Sequence, residues 1–240
     1  MSSRRHFIQK LGGMSLLLPG EGIPSFSSSG QDAFVRIIDN PRRTGPNDNV
    51  QIACIGMGIM GYNDTDAAIK VPGVKLVAAC DLYTGRLQRA KEVYGSDLFT
   101  TRDYREILNR KDIDAVIVAT SDNWHARIAT AALESGKAVY CEKPMVHRVG
   151  EGLPLIAAQR RSARPLQIGS QRVSSVAYAK ARDLYRAGEI GQLTCIEASF
   201  DRQSALGAWE YTQPTDGSPA TVDWDRYIAG MPRQIGRAHV

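Results

Sequence analysis

Gly56, Gly58 and Gly61 close the run Val50 to Gly61, VQIACIGMGIMG, in which an apolar stretch stops on Gly56-Met57-Gly58-Ile59-Met60-Gly61. Each glycine has its own physical use. Gly56 permits a tight turn after a strand, Gly58 lets backbone approach a ligand, and Gly61 lets the next helix sit close to the sheet. The first N–H groups of that helix then face an anion, which suits a pyrophosphate. Asp81 closes a second apolar run, VKLVAAC, about 20 residues further on, where a carboxylate is placed to hydrogen-bond a ribose 2′-hydroxyl. A glycine-rich turn alone is common; strand, turn, helix and acid in this order form a dinucleotide-binding fingerprint. Its candidate contacts are Gly56, Gly58, Ile59, Met60, Gly61 and Asp81. The carboxylate repels a 2′-phosphate and so favours NAD, while Arg86 close behind it offers a charge that would admit NADP.

Two further motifs follow apolar runs and so fall at the edge where open parallel sheets bind ligands. One is Thr120-Ser121-Asp122-Asn123-Trp124-His125 after AVIVA; the other is Glu142-Lys143-Pro144 after KAVYC. A lysine at a strand end, stiffened by the next proline, can hydrogen-bond a substrate hydroxyl and exchange a proton with it if its pKa is lowered. The plain alternative for Lys143 is a surface lysine.

The elements that must position these residues alternate regularly. After the strands at Val50 and Val74, the pattern predicts a helix over 84–94, an extended piece at Leu98-Phe99, a helix over 103–109 and a strand over 115–119. A helix over 124–134 stops at Ser135-Gly136, followed by a strand over 137–141, a helix over 151–161 and a strand over 166–169. Strand-helix alternation of this kind is the signature of an α/β fold with a doubly wound parallel sheet.

Composition fits a cofactor enzyme without proving one. Hydrophobic residues make up 43% of the 240, and the formal charge of +5 owes part to Arg4, Arg5 and Lys10. No basic stripe with interleaved aromatics points to nucleic acid. Cys54, Cys80, Cys141 and Cys195 lie in apolar runs without C-x-x-C spacing and read as small buried hydrophobes. No metal-ligand spacing is evident, so no metal is expected. Ser3-Arg4-Arg5-His6-Phe7-Ile8, with the weakly apolar Leu11 to Leu18, resembles a twin-arginine export signal. That segment is too short and glycine-rich to span a membrane, and no clear A-x-A cleavage site follows. The expected location is periplasmic, or cytoplasmic if the signal is spurious, with cofactor loaded before export. The expected divisions are a signal-like segment at 1–30, a linker or arm at 31–49, a dinucleotide-binding domain at 50–169 and a second domain at 170–240.

GMGIMG, the acid at Asp81, TSDNWH and above all CEKP, in this order and spacing, resemble the Gfo/Idh/MocA family of nicotinamide-dependent oxidoreductases, including its exported sugar-active members. The resemblance implies a Rossmann domain followed by an α+β domain with an open, mostly antiparallel sheet, which forms the substrate wall and an oligomer interface, so a homo-oligomer is expected. It implies that Gly56, Gly58 and Gly61 bind the pyrophosphate of NAD and Asp81 its ribose. Thr120, Asn123 and His125 would line the nicotinamide side, Glu142 would help position the cofactor, and Lys143 would be catalytic at a sugar or polyol hydroxyl. His125 also reads as a helix-start residue satisfied by local backbone.

The family continues well beyond this length and carries a D-x-x-x-H helix with its general base downstream; no such motif is present here. The segment 192–200 reads as the first strand of the second domain, with 201–209 and 222–231 as further family-like pieces. Ile235 to Val240, IGRAHV, also matches a reading frame of a common sequencing adapter, so a truncated gene and an inactive fragment are expected. A native stop codon after IGRAHV in clean genomic sequence would refute this. Trp209, Tyr211 and Trp224 are expected to fill core rather than stack on a sugar. The activities implied are hydride transfer between a sugar or polyol carbon and nicotinamide; alternatively a glycoside hydrolase using bound NAD with no net redox change; or a non-catalytic NAD-binding module.

Overall fold

The computed structural model describes residues 49–171, 175–199 and 214–228. Six parallel strands form one sheet: β1 (Val50–Ile55), β2 (Val74–Cys80), β3 (Phe99–Thr101), β4 (Ala115–Val118), β5 (Ala138–Glu142) and β6 (Leu166–Gly169). Their order is β3-β2-β1-β4-β5-β6, so the chain starts in the middle, works outward to one side and crosses over to the other. That reversal is the doubly wound arrangement expected from the alternation, and it opens a crevice at the carboxyl ends of β1 and β4.

Among the described residues the α-helices are α1 (Ile59–Ile69), α2 (Thr84–Tyr94), α3 (Tyr104–Asn109), α4 (Asp122–Glu134), α5 (Gly152–Ser162), α6 (Val176–Arg186) and the short α7 (Trp224–Tyr227). Because side chains alternate along a strand, each strand feeds two cores. Ala53, Ile55, Val116 and Val118 pack with Ile107, Ile128, Leu133 and Leu155 under α3, α4 and α5. Ile52, Cys54, Ala79 and Ile117 pack with Met57, Ala90 and Leu98 under α1 and α2. Strands buried on both faces need apolar residues at every position, which is why they read as continuous runs.

Local chemistry sets the element ends. The Asp103 carboxylate accepts from the Arg105 N–H at 3.0 Å and so caps α3, which places the helix start one residue later than the pattern predicts. Gly136, at φ +82°, follows the end of α4 as expected. At α5 the left-handed stop falls instead on Ala163, at φ +52°. At the amino-terminal edge of the sheet Lys137 is buried, and its ammonium donates to the carbonyls of Arg110 at 2.6 Å and Ile113 at 3.0 Å.

Some expectations fail. Gln192 to Ser199 forms no strand: it is exposed throughout, and none of the described residues supplies a ladder partner, without which an extended segment has no hold. Cys195 is exposed rather than buried for the same reason. Trp224 opens α7 and is 57% exposed, so it does not fill core. The helix α6 was not foreseen, and it lies largely exposed. Trp209, Tyr211, the piece 201–209, the segment 1–48 and the tail 235–240 fall outside the described residues.

Candidate cofactor and substrate site

The glycine turn is held by sterics. Gly56 has φ +97°, and a Cβ there would meet the backbone of Ala119 at 2.6 Å and of Thr120 at 2.7 Å, where the loop after β4 crosses it. A Cβ on Gly61 would be driven into the Gly56 carbonyl oxygen, so α1 can approach β1 this closely only without one. Gly58 is different. It has ordinary backbone angles, and a Cβ there would meet nothing nearer than the Arg86 guanidinium, 3.9 Å away. The space before Gly58 is thus open from solvent to backbone. No side chain caps α1 and no acid sits in its first turn, so its first N–H groups are available to an anion.

Asp81 ties the turn to the end of β2. One carboxylate oxygen accepts the Met57 N–H at 2.8 Å, and the other accepts the Tyr83 N–H at 2.9 Å. The group is 7% exposed, and Arg86 lies 3.5 Å from the oxygen that holds Met57. Each carboxylate oxygen has a second lone pair, so Asp81 can hold the loop and still accept from a ribose hydroxyl. Ile59 is exposed at the start of α1, and the Met60 sulfur receives the Gln171 amide at 3.8 Å, which brings the segment after β6 to the glycine turn. Cys54 lies beneath the turn, and burial pushes its thiol up to about 12, which leaves it inert at neutral pH.

The loops after β4 and β5 meet on the other side of the crevice. His125 is 1% exposed, with Nδ1 2.7 Å from the Pro144 carbonyl and Nε2 2.9 Å from the Thr120 carbonyl. The resemblance set His125 on the nicotinamide side. Here its ring is buried and each nitrogen faces a backbone carbonyl, of which a ring with one N–H donates to one, in keeping with the helix-start reading satisfied by local backbone. The helix α4 begins at Asp122, so Asn123 falls in its first turn, half-buried like Thr120. The Ser121 hydroxyl beside Thr120 is buried and has no hydrogen-bond partner. Asp122 pairs with His147 at 3.0 Å, a contact that holds its carboxyl below the usual range.

Glu142 is the last residue of β5, 4% exposed, and accepts from the Tyr140 hydroxyl at 3.3 Å. A Cβ on Gly169 would sit 2.5 Å from the Glu142 carboxylate, so the end of β6 leaves room for that acid. Lys143 follows with a cis bond to Pro144, and its side chain is exposed at the same sheet edge. Sequence reasoning missed Tyr83, Trp124, Asp216 and Thr221, which bond across this edge; only the family-like piece 222–231 pointed there.

An open glycine cradle, uncapped helix donors, a carboxylate with spare lone pairs and an orphaned hydroxyl fit a dinucleotide. The fold and site therefore define a nicotinamide-dinucleotide-binding protein with an exposed lysine at the ligand edge. The profile of the Gfo/Idh/MocA family, described as an oxidoreductase family with an NAD-binding Rossmann fold, matches residues 50–170, and the chain belongs to it.

Curated relatives include inositol 2-dehydrogenase of Salmonella typhimurium, 35% identical over 162 residues, a match covering 67% of this chain and 48% of that protein. The alpha-N-acetylgalactosaminidase of Shewanella oneidensis is 32% identical over 167 residues, covering 63% of this chain and 35% of that protein. Among solved structures, scyllo-inositol dehydrogenase of Lactobacillus casei with bound NAD(H) and scyllo-inositol superposes with TM-score 0.56 at 28% identity, over 60% of this chain and 42% of that one. The chain thus spans about half, 48%, of the length of the inositol dehydrogenase it matches.

Proposed function

We propose that this chain carries the cofactor site of an NAD-dependent oxidoreductase acting on a hydroxyl of a sugar or polyol. The observation that carries it is the open glycine turn clamped to Asp81, with Lys143 at the same edge of the sheet. NAD, when bound, supplies the hydride-accepting nicotinamide. The chain does the rest. Gly56, Gly58, Ile59, Met60 and Gly61 give the pyrophosphate a backbone cradle, and Asp81 accepts from the ribose. Thr120, Asn123 and Glu142 shape the nicotinamide side, while His125 fixes the two loops that carry Thr120 and Lys143. The Lys143 ammonium donates a hydrogen bond to the substrate hydroxyl, and its amine form takes the hydroxyl proton as the carbon is oxidised. Inositol dehydrogenases among the relatives support a polyol substrate.

A second reading, favoured by the glycosidase among the relatives, is a hydrolase in which a glycoside would be oxidised, lose its substituent, take up water and be reduced again, with no net redox change. Twin-arginine export to the periplasm and assembly into a homo-oligomer complete the proposal; the Arg4-Arg5 segment and the family's second domain support them.

The test is a panel of polyols and glycosides incubated with NAD and the protein expressed from the intact gene, because the 240-residue chain by itself is expected to be inactive. NADH formation with a polyol, reduced by about 100-fold or more in Lys143→Met with NAD binding retained, is the expected result. Free sugar released without NADH would establish the hydrolase instead. NAD binding with no turnover on any substrate would leave a binding module and sink the enzyme reading.

A further inference from the structure

One stretch of chain touches the ligand edge from a distance of more than a hundred residues. Pro214 to Ile228 lies outside the family match, yet it bonds to the loops after three successive strands. Beside Asp81, Val222 forms an antiparallel bridge with Tyr83, in which the Asp223 N–H donates to Leu82 O at 3.0 Å and the Thr84 N–H donates to Thr221 O at 3.0 Å. The Tyr83 hydroxyl donates to the Asp216 carboxylate. After β3, Arg226 donates to the Arg102 carbonyl at 3.1 Å and lies 3.8 Å from the Asp103 carboxylate. After β4, the Trp124 indole N–H donates to Tyr227 O at 2.9 Å.

Such bonds have a definite place in the site. Tyr83 is anchored on one side by its N–H to Asp81 and on the other by its hydroxyl to Asp216, so the backbone that follows the ribose-binding acid is fixed from both ends. Asp81 in turn holds the glycine turn through Met57. Loops at a ligand edge ordinarily carry the local freedom of the fold; here a distant segment removes it from the half of the crevice built on β2 and β3.

We propose that Pro214–Ile228 is a strap that retains the bound dinucleotide by its adenosine half, with Tyr83 and Asp216 as positioning residues acting through Asp81. This rests on the reading of Asp81 as the ribose-binding acid. Because coupling is reciprocal, a strap that holds the cofactor must itself be held by the cofactor.

Hydrogen exchange of the full chain, with and without saturating NAD, reads this directly. Exchange at the Thr84 and Asp223 amides slows with NAD. NADH release, followed by its fluorescence in stopped flow, speeds up about 10-fold in Tyr83→Phe and Asp216→Ala, a factor within the usual range of coupling between sites. Asp216→Asn, whose amide oxygen still accepts from the Tyr83 hydroxyl, releases NADH near the unaltered rate. Asp216 is exposed and Tyr83 half-buried, and Tyr83→Phe keeps the ring, so thermal melts close to that of the unaltered chain are expected for these variants. Saturable NAD binding with unchanged exchange at Thr84 and Asp223, or unaltered release rates in Tyr83→Phe and Asp216→Ala, overturns the strap while leaving the cofactor site in place. Failure of the unaltered chain to bind NAD overturns the cofactor reading and the strap together.

Discussion

At Asp81 one carboxylate serves the fold and the ligand at once, and the two roles separate by substitution. Asp81→Asn keeps an oxygen for one of the two backbone donors and removes the charge that repels a 2′-phosphate, with the Arg86 guanidinium still 3.5 Å away. NAD affinity should fall and NADP affinity rise, moving the NAD-to-NADP ratio by about 10-fold or more in calorimetric titration, which is roughly 1.4 kcal/mol. Arg86→Ala should change stability by less than about 1 kcal/mol, since the guanidinium is half exposed and such pairs are weak. Asp64, on α1, is a contrasting acid. Burial first, and the nearby Glu142 charge second, raise its carboxyl from 3.8 to about 6, and one of its oxygens is buried without a partner. A raised carboxyl pKa adds stability that is complete below the unfolded value near 3.8 and is lost as pH rises through about 6. Asp64→Asn should therefore match the parent below pH 3.8 and exceed it at pH 7.5 by about 1 kcal/mol, allowing for water at its exposed side. Urea denaturation at the two pH values checks this.

Two backbone positions at element scale make opposite predictions. Gly56→Ala combines a positive φ with a clash against the loop after β4, so it should cost more than about 2 kcal/mol and abolish NAD binding. Ala163 already carries a Cβ at φ +52°, and Ala163→Gly should stabilise by roughly 0.5 kcal/mol, the relief of left-handed strain outweighing glycine's greater entropy loss. Thermal melts distinguish the two at once. These elements also show what a sequence can reveal. The strands were legible because both faces are buried, and the glycine turn because sterics leave few other residues for its path. Element ends moved by one or two residues where capping decided, as at Asp103. The contacts of Tyr83 and Trp124 with 216–227 were not legible: each is a single side-chain donor meeting an acceptor of a common kind across more than a hundred residues of sequence. Gln192 to Ser199 forms no strand because an apolar segment pairs only where a partner lies alongside, and none of the described residues offers one.

For the whole molecule, ligand and fold stability are linked, since NAD binds the folded chain alone. At 100-fold excess over its dissociation constant NAD should add about 2.7 kcal/mol, a rise in melting temperature of roughly 5–10 °C for a chain of this size. A scan showing no shift at any NAD concentration would contradict the cofactor site. A groove of about 750 Å³ lies elsewhere, on the sheet face between Asp64 of α1 and Gln159 of α5 and toward the strand starts at Val74, Ala115 and Leu166. It is apolar and removed from the glycine turn, so cofactor should leave it unchanged, and a charged substitution such as Ala67→Glu there should not alter NAD affinity in titration. Among the described residues no helix is long and apolar enough to cross a membrane.

The buried imidazole of His125 has a mechanical meaning. Set between the carbonyls of Thr120 and Pro144, with its N–H given to one of them, it spaces the loops after β4 and β5 as one unit. On the proposed reading of the site, a substrate that drew Lys143 inward would carry Thr120 with it.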